Sequence, residues 1–336
     1  MKIFLYAFLS SVLLCCNSTS KSTGGEKTNL DYAETITAQD LKNHLYTYAS
    51  DEMEGRMTGT PGQKKAAEYL RDFYKKEGIK AAKEDGDYFQ NIPANFFAGR
   101  NNPKASENVV AYIKGSEKPD ELIVISAHLD HVGVDADGNV FNGADDDGSG
   151  TVALLEMAQA FQQAVKDGNG PKRSILFLHV TGEEIGLFGS RYYVENPIFP
   201  LENTVCDLNI DMIGRIDPDK ASNPEYLYLI GSNKLSQELQ DVSTEVNDKY
   251  TNLELDYKYD DPNDPNRFYY RSDHYNFAKN NIPIIFYFNG VHADYHKITD
   301  TPDKIEYDLM AKRAKLIFLT AWELANREKR ITADKA

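Results

Sequence analysis

Side chains that can bind cations or move protons stand directly after an apolar run near the middle of this sequence. The adjacent carboxylates Glu183 and Glu184 follow the run 174–180, which has the composition of a buried strand. Burying two uncompensated negative charges at the end of a core strand is unfavourable, so the pair needs a positive partner. The residues around the pair are Thr, Gly and Ile and offer no positive charge. A metal ion would meet this requirement.

Three other strand-like runs also end at residues of this kind. The carboxyl ends of parallel strands meet at one edge of a sheet, where α/β proteins bind their ligands. A lone histidine after a strand is usually a hydrogen-bonded surface residue, so each position is a weak signal by itself. Together they predict one cluster. Its candidate members are His128, Asp130 and His131 after the run 121–127, Asp211 after the run 205–210, and His292, Asp294, Tyr295 and His296 after the run 282–288.

A further acidic group is the run of three aspartates at 145–147, which precedes a glycine-rich segment and a helical pattern. Aspartates in this position could cap the helix and interact favourably with its dipole. They could equally supply a metal ligand. So many like charges at one sheet edge would repel one another without cations, and this repulsion favours a metal site.

Zinc binds His nitrogen and carboxylate oxygen in sites that leave a position for water. Two zinc ions that share a carboxylate and a hydroxide form the co-catalytic arrangement of two-metal hydrolytic sites. Such an arrangement needs five protein ligands and one base that binds no metal. The residues with this stoichiometry are His128, Asp146, Glu184, Asp211 and His296 as ligands and Glu183 as the base.

Strand and helix patterns alternate along most of the chain. Such alternation predicts an α/β fold with a mostly parallel central sheet and helices on both faces, a three-layer sandwich. The predicted strands are 88–92, 107–114, 121–127, 173–180, 205–212, 226–230 and 282–288, and the predicted helices are 37–48, 60–76, 148–165, 186–195, 236–250 and one within 302–327.

The composition bounds the domain organisation and the partners. The chain has 336 residues, 41% of them hydrophobic, which is enough for one large domain that we place at 36–330. The net charge of −15 disfavours nucleic acid and anionic membrane surfaces as partners. The sequence leaves the oligomeric state open.

The N-terminus has the features of an export signal. Lys2 precedes the apolar run 3–14, which is too short to span a bilayer, and we predict a signal peptide at 1–15. Cys15 and Cys16 end this run and resemble a bacterial lipobox in which Cys16 carries the lipid. The alternative is a plain secretory signal with incidental cysteines. We expect a flexible tether at 16–35 and a location in the bacterial cell envelope, either anchored to the outer membrane as a lipoprotein or periplasmic.

Five motifs carry a specific resemblance. AHLDH, GADDDGSG, TGEEIGLFGS, NIDMIG and DYHKITDTPDKI occur in this order. They resemble the zinc-dependent exopeptidase family that includes bacterial aminopeptidase S, the leucyl aminopeptidases and the plasma glutamate carboxypeptidases. The resemblance covers about residues 40–325.

The resemblance implies a role for each site residue. It implies two Zn²⁺ ions per chain, with Asp146 bridging them and Glu183 taking a proton from a water that lies between them. The remaining ligands would be His128 and Asp211 on one ion and Glu184 and His296 on the other.

Three further features follow from the resemblance alone. Asp130 would accept a hydrogen bond from the imidazole of His128 and fix its tautomer. Tyr295 would hydrogen-bond the oxyanion of the reaction. The peptide bond between Asp146 and Asp147 would be cis, which would turn Asp147 away from the metals. For Asp145 we expect a capping or solvated role.

The implied reaction is hydrolysis of a terminal peptide bond in peptides or dipeptides, most often with aminopeptidase polarity. Two alternatives are a glutaminyl cyclase-like acyl transferase with one zinc ion and a catalytically silent binding lipoprotein of the same fold. The preferred terminal residue stays open, and the segment 256–271 could be either a flap over the pocket or a solvated loop. We expect structural roles for His44, His131 and His179, whereas His274 and His292 could either line the pocket near the last ligand or have structural roles.

Overall fold

The computed structural model describes residues 27–99 and 104–335. The predicted signal peptide, Cys16 and most of the predicted tether lie outside these residues. The tether prediction is wrong at its C-terminal end, because residues Asn29–Ala33 form the first helix, α1. The hydroxyl of Thr28 caps this helix, and buried Tyr32 stacks on Trp322 with ring centroids 5.5 Å apart. Packing of Tyr32 therefore fixes this segment to the domain.

Helices and strands alternate, as the sequence pattern predicts. The other helices are α2 (Ala38–Tyr48), α3 (Pro61–Glu77), α4 (Gly150–Lys166), α5 (Phe188–Glu195), α6 (Gln237–Tyr250), α7 (His274–Ala278) and α8 (Tyr307–Asn326). The strands are β1 (Lys80–Ala81), β2 (Phe89–Ile92), β3 (Ser106–Ile113), β4 (Lys118–His128), β5 (Arg173–Val180), β6 (Thr204–Ile210), β7 (Tyr226–Ile230), β8 (Glu254–Asp256) and β9 (Ile284–Phe288). None of the helices in the described ranges has the length and apolar content that a membrane span requires.

The strands form one mixed sheet in the order β1-β3-β5-β4-β6-β9-β7-β8, with β2 paired to β3. The four central strands β5, β4, β6 and β9 are parallel. On the flanks, β3 is antiparallel to β5 and β7 is antiparallel to β9. The α/β prediction is confirmed. The strands that carry the candidate site residues are parallel to one another, and β8 is also parallel to β7 at the edge of the sheet.

Both faces of the sheet are covered, which follows from the alternation of side chains along a strand. In β4, Ile123 and Ile125 pack into the larger core, which also includes residues of α2, α4 and α8. Their neighbours Leu122 and Val124 pack into a second core on the opposite face, which includes Tyr193 of α5 and Phe277 of α7. All of these side chains are buried. Packing on both faces therefore holds β4, whose last residue is His128, rigidly in the sheet.

Candidate metal centre

The carboxyl ends of the four parallel strands bring the predicted site residues to one edge of the sheet. His128 is the last residue of β4, and Asp211 directly follows β6. Glu184 lies in the turn between β5 and α5, and His296 lies in the loop after β9. Asp146 comes from the segment that enters α4. The five predicted ligands thus come from five different segments of the chain.

These side chains form two clusters that share one carboxylate. In the first cluster, His128 Nε2 lies 3.1 Å from Asp146 Oδ1 and 3.6 Å from Asp211 Oδ1. In the second, His296 Nε2 lies 3.0 Å from Asp146 Oδ2 and 3.0 Å from Glu184 Oε2. Asp146 offers a different oxygen to each cluster. This is the arrangement expected of a carboxylate that bridges two metals.

The donor atoms lie 3.0 to 3.6 Å apart, which is close to the spacing of zinc ligands. Ligands of one tetrahedral zinc ion lie about 3.3 to 3.6 Å apart when each metal–ligand bond is about 2.0 to 2.2 Å long. His128 Nε2 and Asp146 Oδ2 are buried and make no hydrogen bond of good geometry with the described residues. Buried polar atoms without partners are costly unless a ligand satisfies them. Two groups of residues, which overlap with these clusters, have donor atoms close enough to hold a metal ion each: His128, Asp147 and Asp211, and His131, Asp146 and Glu184.

The charges at the site favour a cation in both clusters. Burial opposes a charge on His128, but the charge of Asp211 and the contact with Asp146 raise its pKa well above the usual range. Burial likewise opposes a charge on His296, yet Asp146 and Glu184 raise its pKa to about 10. The surrounding carboxylates therefore stabilise a positive charge beside the imidazole nitrogens of His128 and His296.

Asp147 supports the site through its contacts with the main chain. The peptide bond between Asp146 and Asp147 is cis, as the resemblance implied. The carboxylate of Asp147 lies near His128 and Asp211. However, it accepts hydrogen bonds from the main-chain nitrogens of His128, Gly150 and Met212 at 3.0 to 3.1 Å. It therefore joins the end of β4, the start of α4 and the segment after β6.

The expectation of a capping or solvated Asp145 is wrong. Its side chain is buried, Oδ1 accepts from the main-chain nitrogen of Gly214 at 2.6 Å, and Oδ2 lies 3.1 Å from His292 Nε2. The carboxylate of Asp300 accepts from the main-chain nitrogens of Asp145 and Asp146 at 3.0 and 3.2 Å. His292 thus contacts Asp145, and these contacts hold the segment that carries Asp146.

Asp130 contacts the site differently from the prediction. His128 Nδ1 lies 3.1 Å from the main-chain carbonyl of Asp130 and 3.8 Å from its carboxylate, so the carbonyl is the hydrogen-bond acceptor. The carboxylate instead accepts from the main-chain nitrogen of Glu183 at 3.2 Å and from the hydroxyl of Thr58 at 2.7 Å. Asp130 therefore positions both the imidazole and the segment that carries Glu183.

Glu183 and Tyr295 face a cavity next to the two clusters. The cavity has an empty volume of about 340 Å³, and its polar walls include Asp146 and Asp211. Burial raises the pKa of Glu183 well above its usual range, and the charge of Asp211 adds to this effect. Tyr295 stacks on His296 with ring centroids 3.9 Å apart, and burial raises the pKa of its hydroxyl. That hydroxyl therefore keeps its proton and can donate it in a hydrogen bond.

The remaining walls of the cavity are apolar except for Arg271, and they include part of the segment 256–271. Phe268 and Arg271 from this segment line the cavity, which favours the flap interpretation over a solvated loop. His274 is buried outside the cavity, and its Nε2 lies 2.8 Å from the main-chain carbonyl of Tyr269. The other apolar lining residues are Met212, Phe286, Phe288 and Val291.

The sequence interpretation missed His131. Its imidazole is buried, and Nδ1 lies 2.7 Å from Glu184 Oε1 and 3.8 Å from Asp146 Oδ2. The spacing of His131, three residues after His128, was the available signal. The expected structural roles do suit the other two histidines, because His44 lies 3.2 Å from Glu156 and His179 lies 2.7 Å from the hydroxyl of Tyr74.

Arg56 joins three segments near the site through the main chain. Its guanidinium is buried and donates to the carbonyls of Leu129, Tyr48, Asn142 and Gly143 at 2.7 to 3.2 Å. These carbonyls belong to the segments that follow β4, end α2 and lead into the aspartate run. Arg56 therefore has a structural role, because it holds these three segments together.

Replacing Arg56 by Met should lower the free energy of unfolding by about 3 kcal/mol or more, because buried carbonyls lose a charged donor. Urea denaturation followed by circular dichroism measures this change. Arg71→Met is the matched control, since Arg71 is partly exposed and pairs with Asp72, and should change stability by less than about 1 kcal/mol. Equal unfolding midpoints for the two variants would show that the Arg56 contacts contribute little.

Comparisons with known proteins identify relatives of this chain. The sequence model of peptidase family M28 matches residues 108–321. A probable zinc metalloprotease of Pyrenophora teres is 27% identical over 267 residues, which is 66% of this chain and 52% of that protein. A probable glutamate carboxypeptidase of Arabidopsis thaliana is 34% identical over 116 residues, 34% of this chain and 15% of that protein. The chain thus spans about half of the fungal relative and less of the plant one.

The fold is shared with a solved structure. A zinc aminopeptidase from Bacillus subtilis superposes with a TM-score of 0.66 at 16% identity, covering 90% of this chain and 99% of that one. The family match extends from β3 into α8 and includes the four strands that carry the two clusters. The chain belongs to peptidase family M28.

Proposed function

We propose that this protein is a two-zinc exopeptidase that hydrolyses the peptide bond next to a chain terminus, with aminopeptidase polarity. The proposal rests on the position of Asp146, which is shared between the two clusters. The carboxylate of Glu183 belongs to neither cluster and lies beside them. His128, Asp146 and Asp211 would hold one ion, and Asp146, Glu184 and His296 would hold the other. When bound, the two ions would polarise the scissile carbonyl and lower the pKa of the attacking water.

The chain's own residues would bind the substrate and move the proton. The carboxylate of Glu183 faces the cavity, and the hydrogen bond from its main-chain nitrogen to Asp130 fixes its position. It would take the proton of the attacking water and pass it to the leaving amine. The Tyr295 hydroxyl would donate a hydrogen bond to the oxygen of the reacting carbonyl. The apolar walls would contact the terminal side chain and exclude water.

Two features support a two-zinc aminopeptidase over the alternatives. The Bacillus subtilis protein that shares this fold is a zinc aminopeptidase, and the proposed polarity follows that protein. The two clusters favour two ions, whereas a glutaminyl cyclase-like transferase would use one.

A cleavage profile tests the proposal. The zinc-loaded protein is incubated with a mixed peptide library and the products are identified by mass. We expect loss of single residues from the amino terminus. Loss from the carboxyl terminus would overturn the polarity, and formation of pyroglutamate without hydrolysis would favour the transferase.

His131 should tighten zinc binding at the second cluster. The two carboxylate oxygens of Glu184 contact different residues, because Oε2 faces His296 and Oε1 faces His131. A hydrogen bond from His131 Nδ1 would therefore orient Glu184 for the metal. Loss of such a partner typically costs about 10- to 100-fold in metal affinity.

We therefore expect His131→Asn to bind its weaker zinc ion about 10- to 100-fold less tightly than the parent. Competition with a chromogenic chelator measures this affinity without reference to turnover. His44→Asn is the control, because His44 contacts Glu156 and Tyr69 and is remote from both clusters. If both variants retained the parent affinity, His131 would have no influence on the metal.

A further inference from the structure

We infer that Arg271 forms a subsite for a carboxylate of the substrate, so that the enzyme prefers peptides that bring a negative charge to the cavity mouth. This inference rests on the proposed function and adds a substrate class to it. The charge can come from the side chain of the terminal residue or from the free carboxyl terminus of a short peptide.

The position of Arg271 places its charge at the cavity that holds the reacting groups. Arg271 lines the same cavity as Asp146, Glu183 and Tyr295. It is exposed, its guanidinium carbon lies 5.0 Å from the centroid of the Phe268 ring, and its Nη2 lies 3.4 Å from the Tyr295 hydroxyl. These two contacts orient the guanidinium without neutralising it.

The charge of Arg271 has no counterpart in the described part of the chain. No carboxylate oxygen of the described residues lies within 4.0 Å of its guanidinium nitrogens. The carboxylates that line the cavity, Asp146, Glu183 and Asp211, would face the two divalent cations and not Arg271. One positive charge is then left facing the substrate.

The chemistry of the guanidinium selects a carboxylate as its ligand. Its planar fork can donate two parallel hydrogen bonds to the two oxygens of a carboxylate, and charge-assisted bonds of this kind are the strong ones. The apolar residues Phe268, Phe286 and Phe288 line the same cavity and reduce competition from water. A substrate with an apolar part against these rings and a carboxylate at the mouth would satisfy both features.

Two matched pairs of substrates distinguish the sources of the carboxylate. Leucyl-glycine and its carboxyl-terminal amide differ only in the terminal charge. The anilides of glutamate and glutamine differ only in the side-chain charge. For Arg271→Met we expect kcat/KM to fall about 10- to 100-fold on the charged member of at least one pair and to change little on its neutral member.

Arg267→Met is the matched control. Arg267 lies on the same segment, is exposed, and has its guanidinium carbon 4.9 Å from the ring centroid of Tyr270, but it lines the neighbouring cavity with Tyr259 and Asp264. We expect parent activity on all four substrates. Arg271→Lys should recover part of the preference for charged substrates, because lysine restores the positive charge but lacks the planar pair of donors of the guanidinium.

Two results would overturn the inference. A similar loss on the charged and neutral members of both pairs would show that Arg271 acts through Tyr295 or the fold. Unchanged kcat/KM on every substrate would show that the guanidinium does not contact substrate.

A binding measurement separates this inference from the proposed function. Calorimetry with zinc-loaded Glu183→Gln compares the affinities of leucyl-glycine and its amide, and of glutamate anilide and glutamine anilide, with and without Arg271→Met. A preference for the charged member that disappears with Arg271→Met supports the subsite even if the parent hydrolyses nothing. Equal affinities within both pairs overturn the subsite even if the parent is an active peptidase.

Discussion

Replacing Glu183 by Gln is expected to lower kcat by a factor of about 10² to 10⁴ or more while the protein keeps its zinc. Gln has nearly the shape of Glu but cannot take a proton from water. The main-chain hydrogen bond to Asp130 would be retained, so the segment should keep its position. Glu183 belongs to neither cluster of candidate ligands, which is why zinc content should not change.

Turnover of an aminoacyl anilide and zinc content by elemental analysis are measured on the same sample. Glu195→Gln is the matched control, because Glu195 is exposed on α5 and pairs with Arg191 at 3.4 Å. It should have the activity and zinc content of the parent. Normal turnover in Glu183→Gln would exclude Glu183 as the base, and loss of zinc would make it a ligand.

Replacing Asp146 by Ala is expected to remove both zinc ions and all measurable activity. Each cluster loses one of its ligands in this variant, because Asp146 offers Oδ1 to His128 and Oδ2 to His296. Glu184→Ala removes a ligand from one cluster only and should lose activity with about one ion. The difference between the two variants therefore tests whether Asp146 is shared.

Zinc per chain after dialysis against a weak chelator measures this difference. Asp137→Ala is the control, since Asp137 is exposed in a loop outside both clusters, and it should retain two ions. Retention of one ion by Asp146→Ala would contradict the bridging role, and so would equal zinc contents in Asp146→Ala and Glu184→Ala.

Much of the site could be predicted because its residues sit where strands end. β5 and β7 have the bounds that the apolar pattern predicted, since a buried strand needs a continuous apolar run. The parallel direction of β5, β4, β6 and β9 then places the ends of these strands at one edge. The convergence of His128, Glu184 and Asp211 follows from this topology.

The remaining features depend on contacts that sequence periodicity does not record. A strand has the same apolar pattern whether it runs parallel or antiparallel to its neighbour. The antiparallel pairing of β3 and β7 at the flanks of the sheet was therefore not foreseen. Asp130 was assigned to His128, but the chain turns so that its main-chain carbonyl meets the imidazole and its carboxylate meets Glu183. Asp145 was expected to cap a helix or face solvent, because the position of its partner, His292, depends on the fold of a distant loop.

His131 shows the same limitation at the metal centre. From its position in the sequence, His131 could have either a structural role or a role at the metal site. The turn after β4 directs its ring toward Glu184, and the sequence does not show this turn. The segment 256–271 was equally ambiguous, because a loop rich in Asp and Tyr can be solvated or packed. Packing of Phe268 against Phe288, with ring centroids 5.0 Å apart, decides that it forms a cavity wall.

The presence of two zinc ions that share Asp146 is tested most directly by anomalous diffraction. Crystals of the zinc-loaded protein are measured above and below the zinc absorption edge. The account predicts two peaks of similar height, one among His128, Asp146 and Asp211 and the other among Asp146, Glu184 and His296. A single peak, or two peaks of which only one contacts Asp146, would contradict it.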